Sequence, residues 1–389
     1  MRLTKQNLLF FVIFTAANTP VMFFMLGFGA IMQMNGFSAD NIGVFQTALL
    51  AIILSLLVAP FIDKFGLKTD HYKNWTIALG VLCSLSIFLL AFVSLNDKKI
   101  LFLVSFFILL ISGLLDTAVN ALAIKIYDRK ESKTVGAYKM TAVFCSMLLG
   151  SGVSLLIYSR LGWSFCVYFL AALVLLSLSA LFFIDENTET VSPERLNLKE
   201  ILSFFKQENI GIWLFILCFY VGIIAAAWAF LKPFLIFKGI NADKVAFYVG
   251  IYGSVLGALA SFAAIKINNI FSKRTILTVF GSLNFAAILM LYFMVGADIN
   301  DFLLIASVSL CVISMSFSTS VIFALMMEFS RKNLRGSDYA LQSALRLIFR
   351  TVSVVICGIL ITNFGYGFAF LALSILMILA VWAVWARPI

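Results

Sequence analysis

The chain has 389 residues, of which 63% are hydrophobic and 12% are charged, and its mean hydropathy is +1.08. A soluble globular protein averages about 45–50% apolar and about 25% charged residues, so this composition excludes an ordinary soluble fold. The net charge of +10 fits basic loops beside an anionic membrane leaflet, and no nucleic-acid partner is predicted.

Apolar runs of about 18 or more residues recur along the chain, which is typical of a helical membrane protein. Charged and turn-forming clusters divide these runs into twelve predicted spans. Their limits are 8–32, 42–62, 75–95, 100–124, 137–158, 163–184, 210–231, 243–265, 275–296, 302–327, 338–362 and 366–386. The predicted fold class is therefore all-α, with twelve transmembrane helices. The long polar interval 185–209 predicts a cytoplasmic linker between two six-helix bundles, 1–184 and 210–389.

Basic residues predict the orientation of these spans. Twenty of the 28 Lys and Arg residues fall on the side that holds both termini. Six fall on the other side: Lys98, Lys99, Arg160, Lys232, Lys238 and Lys244. Because Lys and Arg concentrate in cytoplasmic loops, both termini are predicted to be cytoplasmic.

The predicted N-terminal bundle carries few polar residues inside its spans. Asn18 in span one is a candidate substrate ligand, and Gln46 in span two is a weaker one. Asp63 and Lys64 follow span two and are candidates for a cytoplasmic gate. Asp116 in span four, with an asparagine four residues later on the same face, is a candidate proton carrier. The alternative for Asp116 is a structural hydrogen bond to a neighbouring helix.

The predicted C-terminal bundle begins with aromatic candidates. Trp228 in span seven and Tyr252 in span eight are candidates for a pocket that accepts a bulky ligand. Glu328 and Arg331 lie one helical turn apart at the end of span ten. This spacing suits a local ion pair or a gate.

Span eleven holds two arginines where a membrane helix should be apolar. Asp338, Gln342, Arg346 and Arg350 are spaced by four residues and share one helix face. Arg346 and Arg350 lie about 12 and 18 Å along the helix from Asp338, close to the midplane of a hydrocarbon core about 30 Å thick. One interpretation is a structural ion-pair network. The other is an anion clamp, assisted by Gln342, with Asp338 taking part in proton coupling.

The two halves of the chain repeat one pattern at an offset of about 200 residues. "DRKESKTVGAYK", Asp128 to Lys139, corresponds to "SRKNLRGSDYALQ", Ser330 to Gln342. The helix pairs that follow turn at "RLGW", Arg160 to Trp163, and at "NFGY", Asn363 to Tyr366. Parallel repeats of this kind are typical of transporters built from two bundles.

Several stretches resemble one transporter family. The loop "APFIDKFGLKTDHYKNW", Ala59 to Trp75, resembles the loop signature of the major facilitator superfamily. "GLLDTAVNALAIKIYDRKESKTVGAYK", "MMEFSRKNLRGSDYALQSALR" and "FLKPFLIFKGIN" resemble the branch that holds muropeptide permeases, acetyl-CoA transporters and siderophore permeases of the rhizobactin and pyochelin type. "GSDYALQ" and the Lys-Pro-Phe-Leu run resemble the siderophore permeases most.

The resemblance implies a proton-coupled secondary transporter in the inner membrane, working by alternating access as a monomer. A siderophore is the first predicted solute, and a muropeptide or an acyl-CoA-like solute is the second. A membrane-embedded lipid-modifying enzyme is the alternative from another class, although the sequence shows no catalytic constellation for it. The predicted partners are a small-molecule substrate, protons and membrane lipids. No cofactor or metal is predicted.

Overall fold

The computed structural model of the chain describes residues 5–55, 62, 70–126, 132–186, 203–207, 210–329 and 335–386. The regular structure of these residues is helical, with no strand among them. Nine helical segments within them are long and apolar enough to cross a membrane. One of the nine, Leu341–Ala386, holds predicted spans eleven and twelve. Predicted spans two and eight correspond to Ala39–Ser55 and residues 242–270, which are not among the nine. The helices are therefore consistent with the twelve predicted spans.

We number the helices by predicted span. In the first half, α1 comprises Lys5–Met22, Phe23–Gly27 and Phe28–Met34, α2 is Ala39–Ser55, α3 is His71–Leu90, α4 is Lys98–Ile126, α5 comprises Ser132–Met147, Leu148–Val153 and Ser154–Leu161, and α6 comprises Trp163–Ser177 and Leu178–Phe183. In the second half, α7 is Ile210–Phe237, α8 covers residues 242–270, α9 is Lys273–Gly296, α10 is Asp301–Glu328, and α11 and α12 share Arg335–Ala386.

Corresponding glycines form the turns that the repeated pattern predicts. Gly162 separates α5 from α6 with φ of 87°, and Gly365 separates α11 from α12 with φ of 84°. The ψ angles are −174° and 167°, a region that is essentially restricted to glycine. Both predicted helix breaks are confirmed.

Four helices contain π-helical turns that the sequence did not predict. They are Phe23–Gly27 in α1, Leu148–Val153 in α5, Ile216–Tyr220 in α7 and Ala246–Tyr252 in α8. A π-turn inserts an extra residue, so the side chains after it point in a different direction from those of a regular helix. The turn in α1 follows Pro20, a residue type that commonly kinks a helix.

The chain divides into two compact units. Unit 1 comprises Met1–Asn35, Ala48–Pro193 and Asn241–Ser254, and within it α1 packs on α4 and α5, and α3 packs on α4 and α6. Unit 2 comprises Gly36–Thr47, Glu194–Ile240 and Val255–Ile389. Within unit 2 the start of α2, α7 and α9 all pack on the α11–α12 segment. The predicted bundles 1–184 and 210–389 remain a prediction.

The helices bury aromatic cores and expose apolar side chains. In unit 2, Phe280 and Phe317 stack with ring centroids 4.2 Å apart, and Trp213 stacks on Phe329 at 5.2 Å. By contrast, Leu103 is 65% exposed and Leu176 is 70% exposed. Large apolar side chains with this exposure are suited to lipid contact, as expected of a multi-pass membrane protein.

Candidate functional site

Asp116 lies at the centre of a polar cluster in unit 1. Its Oδ2 accepts a hydrogen bond from Nδ2 of Asn120 at 2.8 Å, and its Oδ1 accepts one from Nδ2 of Asn18 at 3.4 Å. Lys139 Nζ lies 3.4 Å from Oδ2 and also donates to Oδ1 of Asn120 at 2.7 Å. The cluster therefore joins α1, α4 and α5 through one carboxylate.

The Asp116–Lys139 ion pair is neither fully buried nor fully exposed to solvent. The Asp116 side chain is 33% exposed and that of Lys139 is 32% exposed. The sequence did not predict the pairing of Asp116 with Lys139, which arises because helix Ser132–Met147 brings Lys139 beside Asp116. The contact with Asn18 is a hydrogen bond to a neighbouring helix, and the role of Asp116 as a proton carrier remains a prediction. The signal was present, since Lys139 falls inside the predicted span 137–158.

The arginines of α11 lie in unit 2. Both side chains are partly buried. Oε1 of Gln46 accepts hydrogen bonds from Nη1 and Nη2 of Arg350, each at 3.3 Å. This contact holds the end of the guanidinium with a neutral amide, so it restrains Arg350 without cancelling its charge.

Gln342 and Asp338, on the same face of α11, are buried. The side-chain oxygen of Gln342 accepts from Nε1 of Trp213 at 2.7 Å. Its amide nitrogen, Nε2, donates to the carbonyl oxygens of Met326 at 3.0 Å and Asp338 at 3.1 Å. These bonds tie α7, α10 and α11 together. The predicted roles of Gln342 in substrate binding and of Asp338 in coupling remain predictions.

Trp228 and Tyr252 lie in different units and are both partly buried. Trp228 lines a small pocket in unit 2, among α7, α9 and α10. Asn284 also lines this pocket, and its Nδ2 donates to Oγ of Ser318 at 2.8 Å. Tyr252 ends the π-turn of α8 in unit 1. Their predicted contacts with a solute remain predictions.

The predicted gates fall outside what the structure describes. Asp63, Lys64 and Arg331 lie outside the described residues, and so does the side chain of Glu328. The gate assignments therefore remain predictions. Among the described residues, no group of three His, Cys, Asp or Glu side chains is placed to hold a metal ion.

A second charged cluster in unit 1 was missed by sequence reasoning. The Glu186 side chain, 0% exposed, accepts from Nζ of Lys125 at 2.8 Å. The same carboxylate accepts from the backbone N–H groups of Tyr72 at 3.2 Å and Lys73 at 2.9 Å. Glu186, which follows the end of α6, thus binds N–H groups at the start of α3 that have no hydrogen-bond partner within the helix. The sequence predicts a linker from residue 185 onward, and this prediction does not include the contact of Glu186 with α3.

The helical fold agrees with comparisons to known proteins. The family model of the Major Facilitator Superfamily matches residues 8–354. A Rickettsia felis protein designated AmpG 4 is 24% identical over 277 residues, which span 65% of each chain. That match covers slightly less than two thirds of the relative. The anhydromuropeptide permease of Escherichia coli K12 is 22% identical over 349 residues, covering 87% of this chain and 70% of the permease.

A solved structure shares the fold. The structure of a mutant of the nucleoside transporter NupG superposes with a TM-score of 0.78 at 12% identity, covering 98% of this chain and 99% of that one. At this identity the likeness concerns the fold alone.

Proposed function

Because the chain belongs to the Major Facilitator Superfamily, we propose that it is a proton-coupled permease for an anionic organic solute of the anhydromuropeptide class. The family and the permease relatives identify a transporter rather than a lipid-modifying enzyme. The siderophore, predicted first from the sequence, finds no support among these relatives. The muropeptide, predicted second, is the class that a relative's name contains.

One observation carries the proposal for an anionic solute. Arg346 and Arg350 occupy one face of α11 near the middle of a membrane span, and the neutral amide of Gln46 holds Arg350. A central arginine costs at least about 2.5 kcal/mol on the most lenient insertion scale, so two of them point to a functional requirement. A guanidinium offers a planar fork of donors that matches a carboxylate.

The cluster around Asp116 supports the coupling step. A proton that binds Asp116 removes its negative charge and releases Lys139 from the ion pair. Asn18 and Asn120 remain beside the carboxyl group and can serve either protonation state, because an amide both donates and accepts hydrogen bonds. Protonation thus changes the contact between α4 and α5, which is what a coupling site requires.

The cellular setting belongs to the same proposal. The excess of Lys and Arg in the loops on one side supports an inner-membrane protein with both termini in the cytoplasm. The permease is proposed to act as a monomer surrounded by lipid, with protons and the solute as its partners.

Uptake into proteoliposomes tests this function. The full chain is reconstituted, and accumulation of a labelled anhydromuropeptide is followed with and without an imposed proton gradient, with a ferric siderophore as the comparison solute. We expect the gradient to drive accumulation of the anhydromuropeptide and to leave the siderophore outside. Siderophore accumulation alone, or anhydromuropeptide uptake that ignores the gradient, would contradict the proposal.

A further inference from the structure

The start of α2 and the second half of α11 pack in antiparallel register within unit 2. At one end, Oγ1 of Thr362 accepts from the backbone N–H of Asp40 at 2.9 Å and donates to Oδ1 of Asp40 at 3.0 Å. At the other end, Gln46 contacts Arg350. Advancing along α2 towards Gln46 therefore means moving back along α11 from Thr362 to Arg350.

Two glycines set the distance between these helices. A Cβ on Gly43 would lie 3.1 Å from Cα of Val355, closer than about nine in ten real Cβ contacts. A Cβ on Gly358 would fall on the carbonyl oxygen of Ala39. Small residues let helix backbones approach closely in a membrane. These glycines therefore allow α2 and α11 to pack with their backbones in contact and fix the register of the pair.

This register places the Gln46 amide against one edge of the Arg350 guanidinium. Gln46 is 4% exposed, and its Oε1 takes one hydrogen from each terminal nitrogen of Arg350. The guanidinium has five N–H donors, so three remain that this contact does not use, including the one on Nε. Nε and its neighbouring terminal nitrogen form the edge that binds a carboxylate with two parallel hydrogen bonds.

We infer that Gln46 is a positioning residue for the anion site: it fixes the orientation of Arg350 so that the remaining donors face the carboxylate of the solute. The inference rests on the proposed function. It also explains why the residue is an amide, because a carboxylate at position 46 would pair with Arg350 and compete with the solute. The glycine-locked packing of α2 on α11 therefore contributes directly to solute affinity.

The test measures the affinity of purified full-length variants for an anhydromuropeptide, together with their melting temperatures. Gln46→Leu removes the contact, and we expect binding about 10-fold weaker, equivalent to about 1.4 kcal/mol. Gln46→Glu keeps the side-chain length and adds a competing charge, so we expect weaker binding with no loss of melting temperature. Thr47→Val is the matched control on α2, because the Thr47 hydroxyl donates to the carbonyl oxygen of Val44 in its own helix.

Arg350→Lys, measured in parallel, separates the inference from the proposed function. If Arg350→Lys weakens binding and both Gln46 variants bind like the wild type, the inference is overturned and the function stands. If the wild type does not bind the anhydromuropeptide, or Arg350→Lys binds it normally, the proposed function fails first. Should Gln46→Leu not fold, Gln46→Glu alone decides: normal affinity overturns the inference.

Discussion

At the residue scale, Asp116 is the clearest candidate for the coupling proton. Asp116→Asn keeps the shape of the side chain and one acceptor oxygen, but it cannot ionise or form an ion pair with Lys139. We expect this variant to lose accumulation driven by a proton gradient while exchange of solute across the membrane continues. Both activities can be measured in the same proteoliposomes.

A matched control guards against a general effect of neutralising a carboxylate. Asp97→Asn makes the same change at an exposed residue between α3 and α4, where Asp97 caps the N–H of Ile100 at 3.3 Å. We expect it to accumulate solute like the wild type. Wild-type accumulation by Asp116→Asn would remove this residue from the coupling step.

The sequence could identify Asp116 but not its partner. A carboxylate inside an apolar span stands out, and the four-residue spacing to Asn120 places both on one face. The pairing with Lys139 depends on how α5 is rotated against α4, which the spacing of residues in either helix does not determine. Gln46 illustrates the same limit, because only the α2–α11 register reveals that its amide meets Arg350.

At the scale of elements, the contact of Glu186 with α3 joins the ends of three helices. Glu186→Gln leaves the buried Lys125 ammonium without its counter-charge and weakens the cap at Tyr72 and Lys73. Breaking a buried ion pair costs about 3–5 kcal/mol, so we expect a clearly lower melting temperature. Thermal unfolding of the purified protein in detergent measures it.

The adjacent carboxylate provides the control for this prediction. Asp185 is exposed, so Asp185→Asn should leave the melting temperature close to that of the wild type. Equal melting temperatures for Glu186→Gln and the wild type would mean that the cluster does not stabilise the start of α3.

Helix breaks were easier to predict than irregular turns within helices. The glycines at 162 and 365 recur at corresponding places of the two halves, and the positive φ that each adopts is open to glycine at little cost. The four π-turns found in the described helices, FFMLG, LLGSGV, ILCFY and AFYVGIY, differ in sequence from one another. The sequence therefore indicated where helices end but not where their faces shift.

At the scale of the whole molecule, hydropathy was enough to predict the fold class. Lipid cannot satisfy exposed backbone groups, so apolar segments of this length must be helical, and the described helices agree. Assignment to units was less accessible, because residues 36–47 and 241–254 each cluster with the opposite half of the chain. This clustering depends on tertiary contacts, which the local sequence pattern does not predict.

The charge asymmetry makes a topological prediction. Reporters fused after Ile389 and within residues 185–209 should both report a cytoplasmic location, because most of the Lys and Arg residues in the loops are predicted to lie on that side. A third reporter inserted at Asn96, between α3 and α4, should report the opposite side. A periplasmic signal from either of the first two would overturn the orientation.

The central claim is that α11 holds an anionic solute through Arg346 and Arg350. Lysine keeps the positive charge but loses the fork of donors, so Arg346→Lys and Arg350→Lys should each weaken binding of an anhydromuropeptide. The loss of one charged hydrogen bond, about 1.5–3 kcal/mol, corresponds to roughly 10- to 150-fold in affinity. Arg160→Lys, at a side chain 68% exposed in unit 1, is the matched control.

Measuring affinity and melting temperature on the same purified variants is the most direct test of this claim. We expect weakened binding at a nearly unchanged melting temperature for Arg346→Lys and Arg350→Lys, and normal binding for Arg160→Lys. Normal affinity in both α11 variants, accompanied by a lower melting temperature, would contradict it and assign the two arginines to the structure of unit 2.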